Sequence, residues 1–128
     1  MSTTDRAGHP APPAYAGIHL VADFWHVRPI EAPSALEEVL RKATCEATNT
    51  PLEIVCHKFF PHGITGVALL SESHIAIHSW PEMDYVAIDI FTCGDRATPH
   101  RALAYLQDVY RPGRVEIREI QRGRRQGA

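Results

Sequence analysis

The densest run of polar side chains is Ser71-Glu72-Ser73-His74-Ile75-Ala76-Ile77-His78-Ser79-Trp80-Pro81-Glu82, which sets two histidines, three serines and two carboxylates within twelve residues. Three readings compete for it. His74 and His78 could hold a metal from one face of a helix, where residues four apart are neighbours. The segment alternates like a strand instead, and there residues four apart lie about 13 Å from each other, too far for one ion. No metal is expected. A Ser-His hydrolase needs its nucleophile on a strand-to-helix elbow of the GxSxG kind, whereas Ser73 has strand-like sequence on both sides. The third reading is structural, a polar bend in which serine and histidine satisfy backbone groups.

Strands and helices must hold these side chains, and the flanking sequence supplies them. From Gly17 the chain alternates, with Ile18, Leu20, Ala22 and Phe24 on one face and His19, Val21, Asp23 and Trp25 on the other. Ser34 and Glu37 have capping-box spacing, and Leu36, Val39, Leu40, Ala43 and Ala47 follow at helical intervals to about residue 48. Leu52 to Phe60, Ile64 to Ser71, Ser73 to Trp80 and Tyr85 to Thr92 read as four strands, with a turn at Pro61-His62-Gly63. Thr98-Pro99 opens a second helix with Ala102, Leu103, Leu106 and Val109 as its apolar stripe, and a last strand runs from about Arg114 to Gln121.

This order predicts an α+β domain, a two-layer sandwich in which two helices cover one face of a largely antiparallel sheet. Val21, Trp25, Val55 and Phe59 then lie on the other face with no helix over them. An uncovered apolar sheet face points to a partner, so a dimer stacked sheet on sheet is expected.

Composition narrows the class. A chain of 128 residues suits one domain, here 17–121, preceded by a proline-rich flexible segment 1–16 and followed by a basic flexible tail 122–128. The net charge is −2, and the one basic cluster, Arg122, Arg124 and Arg125, sits in that tail, so nucleic acid is not expected as a partner. No apolar run approaches the roughly 20 residues of a membrane span, and residues 1–16 lack the apolar block of a secretory signal. A cytoplasmic protein is expected. Cys45, Cys56 and Cys93 form no CxxC pair and cannot all pair within one chain, which argues against a disulfide framework or a cysteine-rich zinc site.

The run from Cys56 to Gly94, CHKFFPHGITGVALLSESHIAIHSWPEMDYVAIDIFTCG, resembles the central region of prokaryotic S-adenosylmethionine decarboxylases, whose pattern is close to SESH, an alternating pair, H(T/S)WPE and FTCG. GIHLVADFW and VEIREIQRGR resemble that family's first and last strands, so the likeness covers about residues 17 to 125.

The resemblance implies a chain that cuts itself between Glu72 and Ser73. The Ser73 hydroxyl would attack the Glu72 carbonyl carbon and convert the amide to an ester through a five-membered oxyoxazolidine. Loss of the Ser73 α-proton would then expel the Glu72 carboxylate, leaving dehydroalanine that hydrolyses to ammonia and a pyruvoyl group. The products would be a β chain, 1–72, and an α chain, 73–128. His78 matches the family's proton acceptor in this processing, a task suited to imidazole because it titrates near neutrality. Thr65 stands where the family commonly has serine, in support of the cyclising intermediate, and keeps the hydroxyl while adding a methyl.

In the implied reaction the pyruvoyl ketone forms a Schiff base with the substrate amine and takes up the electrons left as carbon dioxide departs. Cys93 matches the proton donor to the substrate α-carbon, and a thiol is mostly protonated at neutral pH. Phe59 matches an aromatic that stacks on adenine, Trp80 one that lines the site, and Glu82 the carboxylate that accepts from both ribose hydroxyls. The implied product is the aminopropyl donor for spermidine synthesis. Two alternatives stay open: the same pyruvoyl chemistry on arginine or ornithine, and an unprocessed dimeric homologue with a binding or regulatory role. The chain departs from the usual pattern at Phe60, Thr65 and Met83-Asp84. Intact Ser73, His78 and Cys93 speak against the inert homologue.

Overall fold

The computed structural model describes residues 14–71, 73–93 and 99–126. The elements follow the order β1 (Gly17–Trp25), α1 (Pro33–Glu46), β2 (Pro51–Lys58), β3 (Ile64–Leu70), β4 (Ser73–Trp80), β5 (Tyr85–Cys93), α2 (Pro99–Tyr110) and β6 (Arg114–Arg122). A single 3-10 turn, Pro81–Met83, joins β4 to β5. All six strands form one sheet in the order β2-β3-β4-β5-β1-β6, and every neighbouring pair is antiparallel. This is the expected α+β sandwich.

Alternation along the strands separates the two faces. Leu20, Ala22 and Phe24 of β1, Ile75 and Ile77 of β4, and Val86, Ile88 and Ile90 of β5 are buried on the helix side. Leu36, Leu40 and Ala43 of α1 and Ala102, Leu103, Leu106 and Tyr110 of α2 complete that core. The helices lie side by side, α1 over β2 and β3 and α2 over β1 and β5. Among the described residues, no helix covers the opposite face. There Val55 of β2, Leu69 of β3, Trp80 of β4 and Ile120 of β6 are each more than 40% exposed, as are Phe59 and Phe60 beyond β2.

The start of α1 departs from the expected capping box. Ala32 is the N-cap, Pro33 occupies the first helical position, and no side chain caps the helix. Proline is pre-organised for that position and has no N–H to satisfy, while Ala35 and Leu36 donate their N–H groups to the Ala32 carbonyl. Ser34 therefore lies inside the helix. At the other end of the chain β6 extends to Arg122, so the first residue assigned to the tail is a strand residue. Ala16 donates its N–H to the Arg122 carbonyl, and Arg125 donates to Ala14. The expected Thr98 cap of α2 lies outside the described residues.

Gly66, on the helix side of β3, lets α1 approach closely. A Cβ there would stand 2.7 Å from Leu36 Cδ2 and 2.8 Å from Leu40 Cδ1, two side chains fully buried in the core. Gly66→Ala is expected to push α1 outward and destabilise the fold by about 1–3 kcal/mol, the usual scale of overpacking. Thermal unfolding of the two proteins side by side would measure it, and an unchanged Tm would mean that α1 yields without cost.

Candidate functional site

Ser73 opens β4, and only 7% of its surface is exposed. Its side chain falls on the same face as Ile75 and Ile77, and its hydroxyl turns back along the chain to donate to the Ser71 carbonyl at 3.3 Å. The β4–β5 register pairs His74 with Phe91, so one residue further brings Ser73 level with Thr92 and next to Cys93. Cys93 closes β5 on the open face, half-buried and paired in register with Gly17. A Cβ on Gly17 would stand 2.3 Å from the Thr92 carbonyl oxygen, so glycine is what allows β1 to approach this end of β5. Glu72, the other residue of the expected cleavage bond, lies outside the described residues.

His78 and Thr65 face each other across β4 and β3 on the open face, with His78 Nδ1 and Thr65 Oγ1 3.1 Å apart. The hydroxyl can donate to the ring or accept from it, and in either case the contact holds the imidazole plane. Beyond His78 the face is aromatic. Trp80 stacks on Tyr85 at 5.4 Å between ring centroids, Tyr85 stacks on Trp25 at 4.4 Å, and the Arg114 guanidinium lies 5.1 Å over Trp25. Glu82 is exposed on the turn after β4. Phe59 belongs to the same end, because Gly63 sits between its side chain and the Ser79 carbonyl, and its ring packs edge-on against His57 at 4.6 Å.

The expected site residues thus fall into two groups at opposite ends of the sheet. Ser73 and Cys93 lie at one end, and Thr65, His78, Trp80, Phe59 and Glu82 at the other. Ser73 lies five residue steps along β4 from His78, about 16 Å, and seven steps from Trp80, about 23 Å. Within one chain, Ser73 and His78 also point to opposite sheet faces.

Some polar contacts of the open face join residues that local spacing does not pair. His19 Nε2 is 3.0 Å from Asp89 Oδ1, and Tyr85 donates a short hydrogen bond to Asp23. The alternation of β1 did put His19 and Asp23 on the polar face. Their partners sit 62 or more residues away, where no local spacing could signal them.

Tyr85 is pushed up to about 12, first by burial, then by its hydrogen bond to Asp23 and by the carboxylates of Asp23, Asp89 and Glu116. A folded value above the ordinary phenol value means that its contribution to stability is complete below about pH 10 and lost as pH rises towards about 12. Tyrosinate absorbance should therefore show an ionisation near pH 12 that is missing in Tyr85→Phe. Its presence in the variant would assign it to another tyrosine.

Comparison with known proteins supplies the lineage. The family profile described as S-adenosylmethionine decarboxylase matches residues 18–123. A relative from Methanococcus aeolicus, named S-adenosylmethionine decarboxylase proenzyme, is 40% identical over 111 residues, covering 85% of this chain and 95% of the relative. One of the same name from Moorella thermoacetica is 47% identical over 88 residues, covering 69% and 70%. The crystal structure of the adenosylmethionine decarboxylase from Aquifex aeolicus superposes with a TM-score of 0.82 at 33% identity, covering 91% of this chain and 98% of that one. With sequence and fold matched over nearly the whole strand-bearing part, this chain belongs to the S-adenosylmethionine decarboxylase family.

Proposed function

We propose that this chain cleaves itself before Ser73 and decarboxylates S-adenosylmethionine, making the aminopropyl donor for spermidine synthesis. The observation that carries this reading is the placement of Ser73. Its hydroxyl is nearly buried at the start of β4 and turned back towards the segment that contains the bond to be broken. Attack by that oxygen on the Glu72 carbonyl carbon exchanges an amide for an ester. Loss of the Ser73 α-proton then breaks the Ser73 Cβ–O bond and releases the Glu72 carboxylate. When formed, the pyruvoyl group supplies the carbonyl electron sink that decarboxylation of an α-amino acid requires.

His78 takes the α-proton, with Thr65 holding its ring at 3.1 Å. Cys93 carries the proton destined for the substrate α-carbon, beside Ser73 at the same end of the sheet. The separation of Ser73 from His78 is resolved by a second copy. Two open faces stacked about a twofold axis, with strands running oppositely, would set the Ser73–Cys93 end of one copy over the Thr65–His78 end of the other, so that His78 approaches the Ser73 α-carbon from the open face while the Ser73 hydroxyl stays on the helix side. The exposed Val55, Leu69, Trp80 and Ile120 supply apolar surface for this homodimer of αβ protomers. Phe59 and Trp80 offer aromatic faces to adenine, and Glu82 offers a carboxylate to the ribose hydroxyls.

The purified protein is expected as two fragments, with an intact mass for 73–128 that carries a pyruvoyl group in place of Ser73, while Ser73→Ala stays whole. A fully active preparation of uncut chain would overturn self-cleavage. The shared site has its own signature. Ser73→Ala and His78→Ala should each remain uncut alone, but co-expression should cut the His78→Ala chain, because its Ser73 then meets an intact His78 on the partner. Mixed dimers that form and stay uncut would rule out a site built from two chains.

The substrate assignment is checked by carbon dioxide release from carboxyl-labelled S-adenosylmethionine, ornithine and arginine in parallel. Only the nucleoside should turn over efficiently, and Glu82→Gln should weaken it by about 1.5–3 kcal/mol, the scale of hydrogen bonds to a charged group. Turnover of arginine or ornithine without S-adenosylmethionine would reassign the substrate and leave self-cleavage standing.

A further inference from the structure

A polar cluster that the proposed chemistry does not use lies at the Ser73–Cys93 end of the open face. His19 of β1 is only 16% exposed at its side chain and touches three other strands. Its Nε2 meets Asp89 Oδ1 of β5 at 3.0 Å, and its Nδ1 meets the Arg122 guanidinium of β6 at 3.2 Å. Its ring packs edge-on against Phe91 at 5.6 Å and against His74 of β4 at 6.2 Å, and Arg122 also lies over Phe91 at 5.7 Å. Arg122 can fold over in this way because its partner in register is Gly17, which has no side chain.

Hydrogen-bond chemistry selects one form of His19. A guanidinium only donates, so Nδ1 must accept from Arg122. Nε2 then carries the proton and donates it to the Asp89 carboxylate. The ring is held from both sides, and its apolar edges are left to meet His74 and Phe91.

Those two residues are the immediate neighbours of the proposed chemistry, since His74 follows Ser73 and Phe91 precedes Cys93 by two. We propose that His19, held between Asp89 and Arg122, is a positioning residue that clamps the first residues of β4 once Ser73 has become a chain terminus. The inference rests on the self-cleavage reading. Before cleavage β4 is tethered at both ends, whereas afterwards its first residue is a free end of the kind that frays unless it is tied down. His74, whose ring meets both His19 and Phe91, is the only side chain of β4 next to that end on the open face. The clamp should therefore matter little for cleavage and more for turnover, where small displacements of a reacting group are costly.

Asp89→Ala removes the acceptor that orients His19, while Asp89→Asn keeps an oxygen for the Nε2 proton. Asp89 is partly exposed, so both variants should fold, and thermal unfolding checks that they do. In cleaved Asp89→Ala enzyme, amide exchange at His74 and Ile75 should quicken about tenfold and kcat should fall about tenfold, with KM and the cleavage half-time within about twofold of wild type. Asp89→Asn should stay within about threefold of wild type in both exchange and kcat, and His19→Phe combined with Asp89→Ala should be no worse than either alone. In an uncut Ser73→Ala background the same Asp89→Ala change should leave exchange at His74 within about twofold. Wild-type exchange and kcat in Asp89→Ala, or equal losses in Asp89→Asn and Asp89→Ala, would overturn the clamp. A wild-type chain that never cuts would instead overturn the reading beneath it, and would show this before any variant is made.

Discussion

The register of β4 between β3 and β5 is the constraint on which the rest of the molecule depends. Side chains alternate with a period of two, so a slip of one residue would exchange the faces of Ser73, His74 and His78 together. Ile75 and Ile77 prevent it. Both are fully buried against the helices, and a slip would expose them and drive two histidines into an apolar core. The chemical residues of β4 therefore stand where they do because the apolar residues between them are committed to the core.

The same alternation explains the contrast between the faces. On the helix side, the apolar residues of the central strands form a core continuous from α1 to α2. On the open face, polar groups find partners across strands, as His78 does with Thr65, His19 with Asp89 and Tyr85 with Asp23. These pairs bridge neighbouring strands, so each is also a tie within the sheet. Aromatic stacking of Trp25, Tyr85 and Trp80 ties β1, β5 and β4 at one end, and the His19 cluster ties β1, β4, β5 and β6 at the other.

Two glycines serve this layout by having no side chain. Gly66 lets α1 sit directly on β3, one residue from Thr65, and Gly17 lets β1 close on β5 at Cys93 while leaving space for Arg122. In both places backbone proximity brings a chemical residue to its position, and any Cβ would stand in the way.

Much of this was legible in the residues. The alternation of β1 and β4, the apolar stripes of both helices, the two-layer architecture and the bare sheet face all follow from hydrophobic periodicity, which is local and so readable along the chain. The family likeness singled out Ser73, His78, Cys93 and Thr65 as side chains to watch. The start of α1 is not legible in this way, because Ser34 with Glu37 has the spacing of a capping box, and spacing alone does not reveal that Pro33 already begins the helix. Tertiary structure alone decided which residues meet. The strand order β2-β3-β4-β5-β1-β6 pairs β1 with β5 and β6, which brings His19 to Asp89 and Arg122 from 70 and 103 residues away. The separation of Ser73 from His78, about 16 Å on opposite faces, follows instead from the rise and alternation of β4 itself. A sequence names the residue types and their faces because periodicity is local, while distances across a sheet depend on pairings that no local interaction encodes.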